Sequence, residues 1–256
     1  MNFKKTIKSI IFFLSLTATA LLCCSINMAF ADERPLLIVA EELPPFEFLQ
    51  NNEPVGINVD IAKTIFKKMR VPIVINIMPW KRAWSFIEGG LADAVFSTSH
   101  KIDREPYLIY PTEEMWTANY VFFVKKANKK PNFTGYADAK NLTVGITRGN
   151  SYNEDFFKAN LLLEASTDLE TNIRKLAGGR IDLVPIDKEV GLATLKKLNL
   201  QNDITYYDVI LFSKKYYMPF AKNSTYPNIQ QIAEQFEQEL IKLKASGEYD
   251  KIRSKW

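Results

Sequence analysis

The chain alternates short continuous apolar runs with stretches whose apolar residues recur every three or four positions. "LLIVA" at 36–40 is of the first kind and predicts a buried strand. It runs into "EELPPFEF", where two prolines stop regular structure. In "NVDIAKTIFKKM" the residues Ala62, Ile65, Phe66 and Met69 share one helical face, and Pro72 follows. "IVINI" predicts a second strand, "KRAWSFIE" a helix stopped at Gly89 or Gly90, and "DAVFS" a third strand. Strand and helix in alternation predict a parallel α/β lobe. After the strand "NYVFFVKK" the order restarts with the strand "LTVGIT" and the helix "SYNEDFFKA", with Asn150 or Ser151 as its cap. Next come the helix "DLETNIRKLA", capped by Asp168 and stopped by Gly178-Gly179, the strand "IDLVPI" and the helix "KEVGLATLKKL". The strand "ITYYDVILF" leads through "KKYYMPFAK" to a last helix with Ile229, Ile232, Ala233, Phe236, Leu240 and Leu243 on one face. Gly247 stops it before a short tail.

Two of these stretches repeat one pattern. "FIEGGLADAVFSTS" at 86–99 and "RKLAGGRIDLVPID" at 174–187 each carry a helix end, Gly-Gly, two residues, an aspartate and an apolar strand. A unit used twice predicts two lobes built on one motif, whereas a solenoid needs three or more copies. In open α/β sheets ligands bind beyond the carboxyl ends of the strands, so the residues after the repeated strands are the candidates. After the first come Ser97, Ser99 and Arg104; after the second comes Asp187. A guanidinium grips a carboxylate through two parallel charge-assisted hydrogen bonds, and an aspartate accepts from an ammonium. Together they suit a zwitterion, which means an amino acid. The loop "RGNSY" adds the amides of Gly149, Asn150 and Ser151 at a helix start, a further place for a carboxylate.

Each candidate has a structural alternative. Arg104 lies between Asp103 and Glu105 and reads equally well as a solvated surface charge. Asp187 is placed to cap the helix that follows it, and a cap and a ligand contact are compatible. Ser97 and Ser99 suit an ordinary turn, and His100 suits an exposed one. Trp80 and Trp84, four apart, suit a helix face on a core, while Trp80 directly after Pro79 also suits a cleft edge. Glu41 and Glu42 follow the first strand and favour a cationic or polar ligand side chain; Arg82, Lys101 and Arg148 would favour an acidic one.

The first 31 residues alter the charge and the compartment. A start with Lys4, Lys5 and Lys8, an apolar middle and the closing "AFA" predict a secretory signal peptide cut before Asp32. Its apolar run is shorter than the roughly 20 residues of a membrane-spanning helix. Lipid attachment at Cys23 or Cys24 is disfavoured by the bulky Leu21 and Leu22 before them. Past residue 31 there is no cysteine and hence no disulfide. All 29 acids and all but three of the 33 bases lie there, a balance of +1. That balance, with no basic block, argues against nucleic acid as a partner. The chain has no Walker loop, Gly-x-Ser-x-Gly or His-Glu-x-x-His, and a single histidine with no cysteine past residue 31 leaves few nucleophile–base pairs and no convincing metal site, although Glu41, Glu42 and Glu47 could do acid–base work.

The order and spacing of "LPPFEF", "VGINVDIAKTIFKKM", "GGLADAVFSTSHKIDR", "VGITRGNSY", "LAGGRIDLVPID" and "ELIKLKASGEYDKIRSKW" resemble the bacterial extracellular solute-binding proteins of family 3. The resemblance implies a two-lobed α/β fold of the type II periplasmic binding proteins, each lobe a small parallel-rich sheet flanked by helices. It implies a signal peptide at 1–31, one lobe from 32–118 plus 217–256 and the other from 119–216, hinged near 117–120 and 214–217. The carboxylate-binding motif falls on Ser97, Ser99 and Arg104, the ammonium-binding aspartate on Asp187, and the carboxylate-binding loop on Gly149, Asn150 and Ser151. Glu41, Glu42, Phe46 and Trp80 complete the candidate ligand contacts. Departures from the family pattern are Leu43 where an aromatic often precedes Pro-Pro-Phe, Lys101 in place of a threonine, and Asn150-Ser151 in the loop. The expectation is a monomeric periplasmic protein without metal or cofactor that delivers a small polar solute, an amino acid, to the membrane permease of an ABC importer. The alternatives are a dehydratase-like enzyme on the same fold and a component that presents its ligand to a sensor.

Overall fold

A computed structural model describes residues 34–148, 150 and 152–256 of the chain. The predicted signal peptide lies outside the described residues. Residues 36–256 form one compact unit.

The leading apolar run is β1 (Leu36–Ala40). A hairpin follows, β2 (Phe48–Gln50) and β3 (Glu53–Val55), closed by Asn51-Asn52. Both asparagines take positive φ, as a two-residue hairpin turn requires. The helix α1 (Ile57–Met69) buries Ile57, Ile61, Ala62, Ile65 and Phe66 and ends on Arg70 in the left-handed region. β4 (Ile73–Ile77), α2 (Trp80–Glu88), β5 (Ala94–Val95) and β6 (Leu108–Ile109) complete the first pass. β1 lies between β4 and β5 and parallel to both, so both its edges are paired.

The chain leaves this sheet on β7 (Trp116–Lys125). Beyond it come α3 (Tyr136–Ala139), β8 (Thr143–Thr147), α4 (Glu154–Lys158), β9 (Leu162–Ser166), α5 (Leu169–Ala177), β10 (Val184–Asp187), α6 (Lys188–Leu198) and β11 (Ile204–Tyr206). β12 (Phe212–Tyr216) then runs back along β7, with Phe212 opposite Tyr120 and Tyr216 opposite Trp116. β13 (Phe220–Ala221) rejoins the first sheet between β5 and β6. The helices α7 (Ile229–Ala245) and α8 (Glu248–Arg253) finish the chain. The predicted face of α7 packs inward: Phe236 meets Phe66 at 5.4 Å and Phe220 at 5.6 Å.

The repeated pattern has one structural meaning. Asp93 accepts the Leu37 N–H at 2.7 Å and its own N–H donates to the Leu37 carbonyl at 2.9 Å. Asp182 does the same with Thr143, at 2.8 Å in each direction. Each aspartate ties the incoming strand to the first strand of its lobe. The second glycine of each pair, Gly90 and Gly179, takes φ 66° and 70°, which permits the reversal out of the helix.

Several elements differ from the pattern-based reading. The helix after "RGNSY" starts at Glu154, and Asn153 caps it by accepting from the Phe156 N–H at 3.1 Å; Asn150 does not. Tyr152 packs on Phe156 and Phe157 and sets the entry, as a residue before a cap commonly does. The predicted strand through 204–212 is two strands with a break between them. β9, which pairs parallel with β8, was not predicted, and the tail beyond Gly247 is helical because Tyr249 and Ile252 pack inward. The parallel core of the second lobe is smaller than expected: β10, β11 and β12 all pair antiparallel with β7.

Candidate ligand-binding cleft

A cleft of about 710 Å³ opens between the two sheets, and the ends of the two repeated strands face it. On the first wall, β5 is cut short at Ser97, whose φ of 48° turns the chain out of the strand. The loop that follows brings Ser97, Ser99, Lys101 and Arg104 to the cleft. Arg104 is fixed before any ligand arrives. Its Nη1 donates to the Ser99 carbonyl at 3.2 Å, and its guanidinium lies over the rings of Trp80 at 5.1 Å and Trp84 at 5.4 Å. Tyr110 donates from its hydroxyl to the same carbonyl at 3.1 Å. The tryptophans of α2 thus form a platform for the cation, and Trp80 also lines the cleft.

On the second wall, β10 ends on Asp187, which is 5% exposed. Its Oδ1 accepts the N–H groups of Glu189 and Val190, both at 3.0 Å, and caps α6. Its Oδ2 accepts the Asn119 N–H of β7 at 2.8 Å. Burial raises its pKa to about 6 even though these amides favour the charged form. Asp187 is therefore both a cap and a cleft residue. Oδ2, with one N–H donor, has a second lone pair left for an ammonium.

The floor is aromatic. Trp116 stacks on Phe46 at 3.6 Å on one side and on Tyr216 at 4.6 Å on the other. Trp116 and Tyr216 line the cleft, whereas Phe46, fully buried, lies behind Trp116 and does not reach it. That placement corrects the expectation that Phe46 touches ligand: its apolar ring is used in the core, as the support of the floor. The indole N–H of Trp116 has no acceptor among the described residues.

Beside that floor sits Glu47, 1% exposed. Asn58 of α1 donates to its Oε2 at 2.7 Å, and no cation pairs with it among the described residues. Burial, with a smaller push from Glu41, raises its pKa to about 8 against the favourable bonds from Ser97 and Asn58. Glu47 is thus largely a neutral acid at pH 7, able to donate or accept a hydrogen bond. Lys214 of β12 also lines the cleft; burial and the charges of Lys101 and Arg104 push its pKa down to about 8.

Of the other sequence-predicted residues, Glu41, Glu42 and Asn150 line the cleft, while Gly149 and Ser151 lie outside the described residues. Lys101 and Arg148 face the cleft. Arg82 is not among its lining residues and stacks on Phe86 at 5.6 Å instead. Glu42 approaches Lys197 of α6 at 3.9 Å, and Lys197 pairs with Glu170 at 2.7 Å, so a charged contact reaches across the mouth. Sequence reasoning missed Trp116, Tyr120, Lys214 and Tyr216, which come from the two crossing strands. It also missed the Thr167–Glu170 stretch after β9 as a lining segment. The sequence carried a signal for the first group: two aromatic-rich runs at the proposed hinges.

No group of three or more His, Cys, Asp or Glu is placed to hold a metal ion, and no helix is long and apolar enough to cross a membrane, among the described residues. The chain is similar to the arginine-binding periplasmic protein of Mannheimia haemolytica, 23% identical over 229 residues that cover 88% of this chain and 92% of the relative. Its fold is similar to a histidine kinase sensor domain resembling periplasmic binding proteins, with a TM-score of 0.73 at 20% identity over 88% of this chain and 96% of the other. It is also similar to an ancestral arginine-binding protein bound to arginine, with a TM-score of 0.69 at 25% identity over 88% of this chain and 99% of the other. Two sheets joined by a crossing strand pair, facing each other across a charged cleft, are the type II periplasmic binding protein architecture. Residues 36–256 match the sequence model of the bacterial extracellular solute-binding proteins, family 3, and the chain belongs to that family.

Proposed function

We propose that this chain is a periplasmic binding protein that captures an amino acid and hands it to the membrane permease of an ABC importer, without chemical turnover. The observation that carries this reading is the placement of Arg104 and Asp187 on opposite walls of one cleft. A carboxylate on the first and an ammonium on the second would bridge the lobes, so ligand contacts favour the closed arrangement. The hinge falls on the paired strands β7 and β12, near 117–120 and 214–217, with lobes at 32–118 plus 217–256 and at 119–216. Ser97, Ser99, Asn150 and the loop amides around it complete the carboxylate end. Trp80, Trp116 and Tyr216 supply the apolar surfaces. A leader at 1–31 would be removed before Asp32, and the protein works as a monomer.

Thermal-shift screening against the amino acids, followed by calorimetry, tests the reading. A ligand at a hundred times its Kd stabilises the folded state by about 2.7 kcal/mol, a rise of roughly 5–10 °C for a chain of this size. A bound ligand recovered unchanged is the expected result. Consumption of the ligand, or the absence of any amino acid that shifts the transition, overturns it.

A further inference from the structure

An amino acid clamp needs one cation for one carboxylate, but this cleft gathers three at the same end. Arg104 and Lys101 come from the loop after β5, and Lys214 comes from β12, opposite Ala118 of β7. Among the described residues none of the three has an ion-pair partner. Of the acids near them in the chain, Glu105 contacts His100 at 3.0 Å, Glu114 pairs with Lys215 at 3.2 Å, and Asp103 is not among the residues lining the cleft. The charges that act on Lys214 are those of Lys101 and Arg104, both of its own sign. Its Nζ lies 5.2 Å from the Tyr216 ring, a weak partner for a half-buried ammonium. Three like charges drawn together in a partly desolvated cleft repel one another, a cost to the fold that an anion would relieve.

Most acids of the cleft are in the opposite position. Glu47 is held neutral, Asp187 already accepts three amides, and Glu42 and Glu170 share Lys197. Glu41 and Asp168 also line the cleft, but neither is among the groups whose charge acts on Lys214, so the unanswered charge at the Arg104 end is positive. A monocarboxylate leaves most of that charge unmatched.

We propose that the solute carries a second anionic group, and that Lys101 and Lys214 hold it beside the Arg104 end of the cleft. The inference deepens the amino acid reading and rests on it: the class is an amino acid with an acidic side chain, a carboxylate or a phosphate. Lys101 and Lys214 set specificity, while Arg104 and Asp187 hold the α-groups.

Calorimetry at pH 7 on the exported protein decides it, using the matched pairs L-glutamate and L-glutamine, and O-phospho-L-serine and L-serine. L-arginine and succinate complete the panel. The acidic member of one pair should bind at least about tenfold more tightly than its neutral partner and than arginine. The glutamate and phosphoserine arms tell the two sources of charge apart. Lys214→Met and Lys101→Met should each erase most of that advantage. Both variants should melt no lower than the parent without ligand, since each relieves repulsion. At pH 8 the acidic ligand should draw a proton onto Lys214, seen as a buffer-dependent binding enthalpy that Lys214→Met removes. Lys101, Arg104 and the Tyr216 ring are the groups that face this lysine, and Ala118 opposite brings no charge.

Tighter binding of arginine or of a neutral amino acid overturns the inference and leaves the amino acid reading standing. An acidic advantage that survives both lysine variants also overturns it. Binding of succinate alone, lost in Lys214→Met, overturns the amino acid reading and supports the second anion site. No binding by any of the six overturns the second anion site, and the full amino acid screen then decides the amino acid reading.

Discussion

Replacing Arg104 by alanine removes the guanidinium that, in the proposed clamp, anchors the ligand's carboxylate. The size of the effect depends on how that side chain is held. The bond to the Ser99 carbonyl at 3.2 Å and the stack on Trp80 and Trp84 fix its position in the free protein. Little ordering is left to be done when a carboxylate arrives, so most of the interaction appears as affinity. Truncating one partner of a desolvated charge pair costs roughly 2–5 kcal/mol, or about 30-fold to several thousand-fold in Kd. The folded state itself loses one hydrogen bond and a partly exposed cation–π contact, together about 1–2 kcal/mol. Arg104→Lys keeps the charge but not the two-pronged contact or the flat face that rests on indole, so it should still lose about tenfold. The assay is calorimetry with the cognate amino acid, alongside melting of each variant without ligand. Parent-like affinity in Arg104→Ala would refute the clamp and return Arg104 to the role of a surface charge. A collapse of the melting temperature with affinity intact would make it a structural residue.

Three further outcomes are expected. Burial holds Glu47 protonated up to about pH 8 against an ordinary 4.5, so between those values the folded state binds one more proton than the unfolded chain and stability falls as pH rises; Glu47→Gln should flatten the pH profile of urea unfolding over that window, and an unchanged slope would show that Glu47 ionises freely. Asp187→Ala deprives three backbone N–H groups of their acceptor and should cost about 2–4 kcal/mol, whereas Asp187→Asn keeps a capping oxygen and should cost about 1 kcal/mol, while both weaken any ammonium-bearing ligand; equal melting points for the two variants would disprove the cap's contribution. Gly191→Ala would set a methyl 2.2 Å from Cζ of Phe123, where α6 packs on β7, and overpacking of about 1–3 kcal/mol should exceed the gain of about 1 kcal/mol in helix propensity; a raised melting temperature would mean that the ring can move aside.

Much of the first lobe was legible because its signals are local. Helix α1 buries Ala62, Ile65 and Phe66 as the spacing predicts, and β1 is a continuous apolar run because parallel neighbours flank it on both sides. In the second lobe the short strands carry weaker local signals. β9 has the burial pattern of an edge, with Leu162 and Leu163 exposed, and its pairing with β8 comes from a partner 19 residues away. The cap of α4 lies three residues beyond Asn150 because Tyr152, Phe156 and Phe157 fix the chain's entry, and only their packing shows this. Arg104 could not be told from a surface charge by its acidic neighbours. The platform that separates the two readings is Trp80 and Trp84, about 20 residues or more earlier in the chain.

The repeat explains where chemistry was legible and where it was not. Asp93 and Asp182 perform the same backbone task, so the two lobes present their strand ends to a common cleft by one device. The segments beyond the two strands are free to differ. The first strand breaks at Ser97 and releases a loop with hydroxyls and a cation; the second runs on to Asp187 and directly into α6. Arg104 and Asp187 therefore both follow the repeated strands of a duplicated frame, which is why a reading of the repeat reaches them. Glu47, Trp116, Lys214 and Tyr216 belong to no repeated unit. They come from the Pro-rich loop and from the strands that join the lobes, and their character depends on neighbours distant in sequence. A lysine in "FSKKYY" reads as solvated, and only the approach of Lys101 and Arg104 makes it a charge in need of a partner. The frame places the two proposed clamp residues at one cleft, and the proposed second anion site depends on residues outside it.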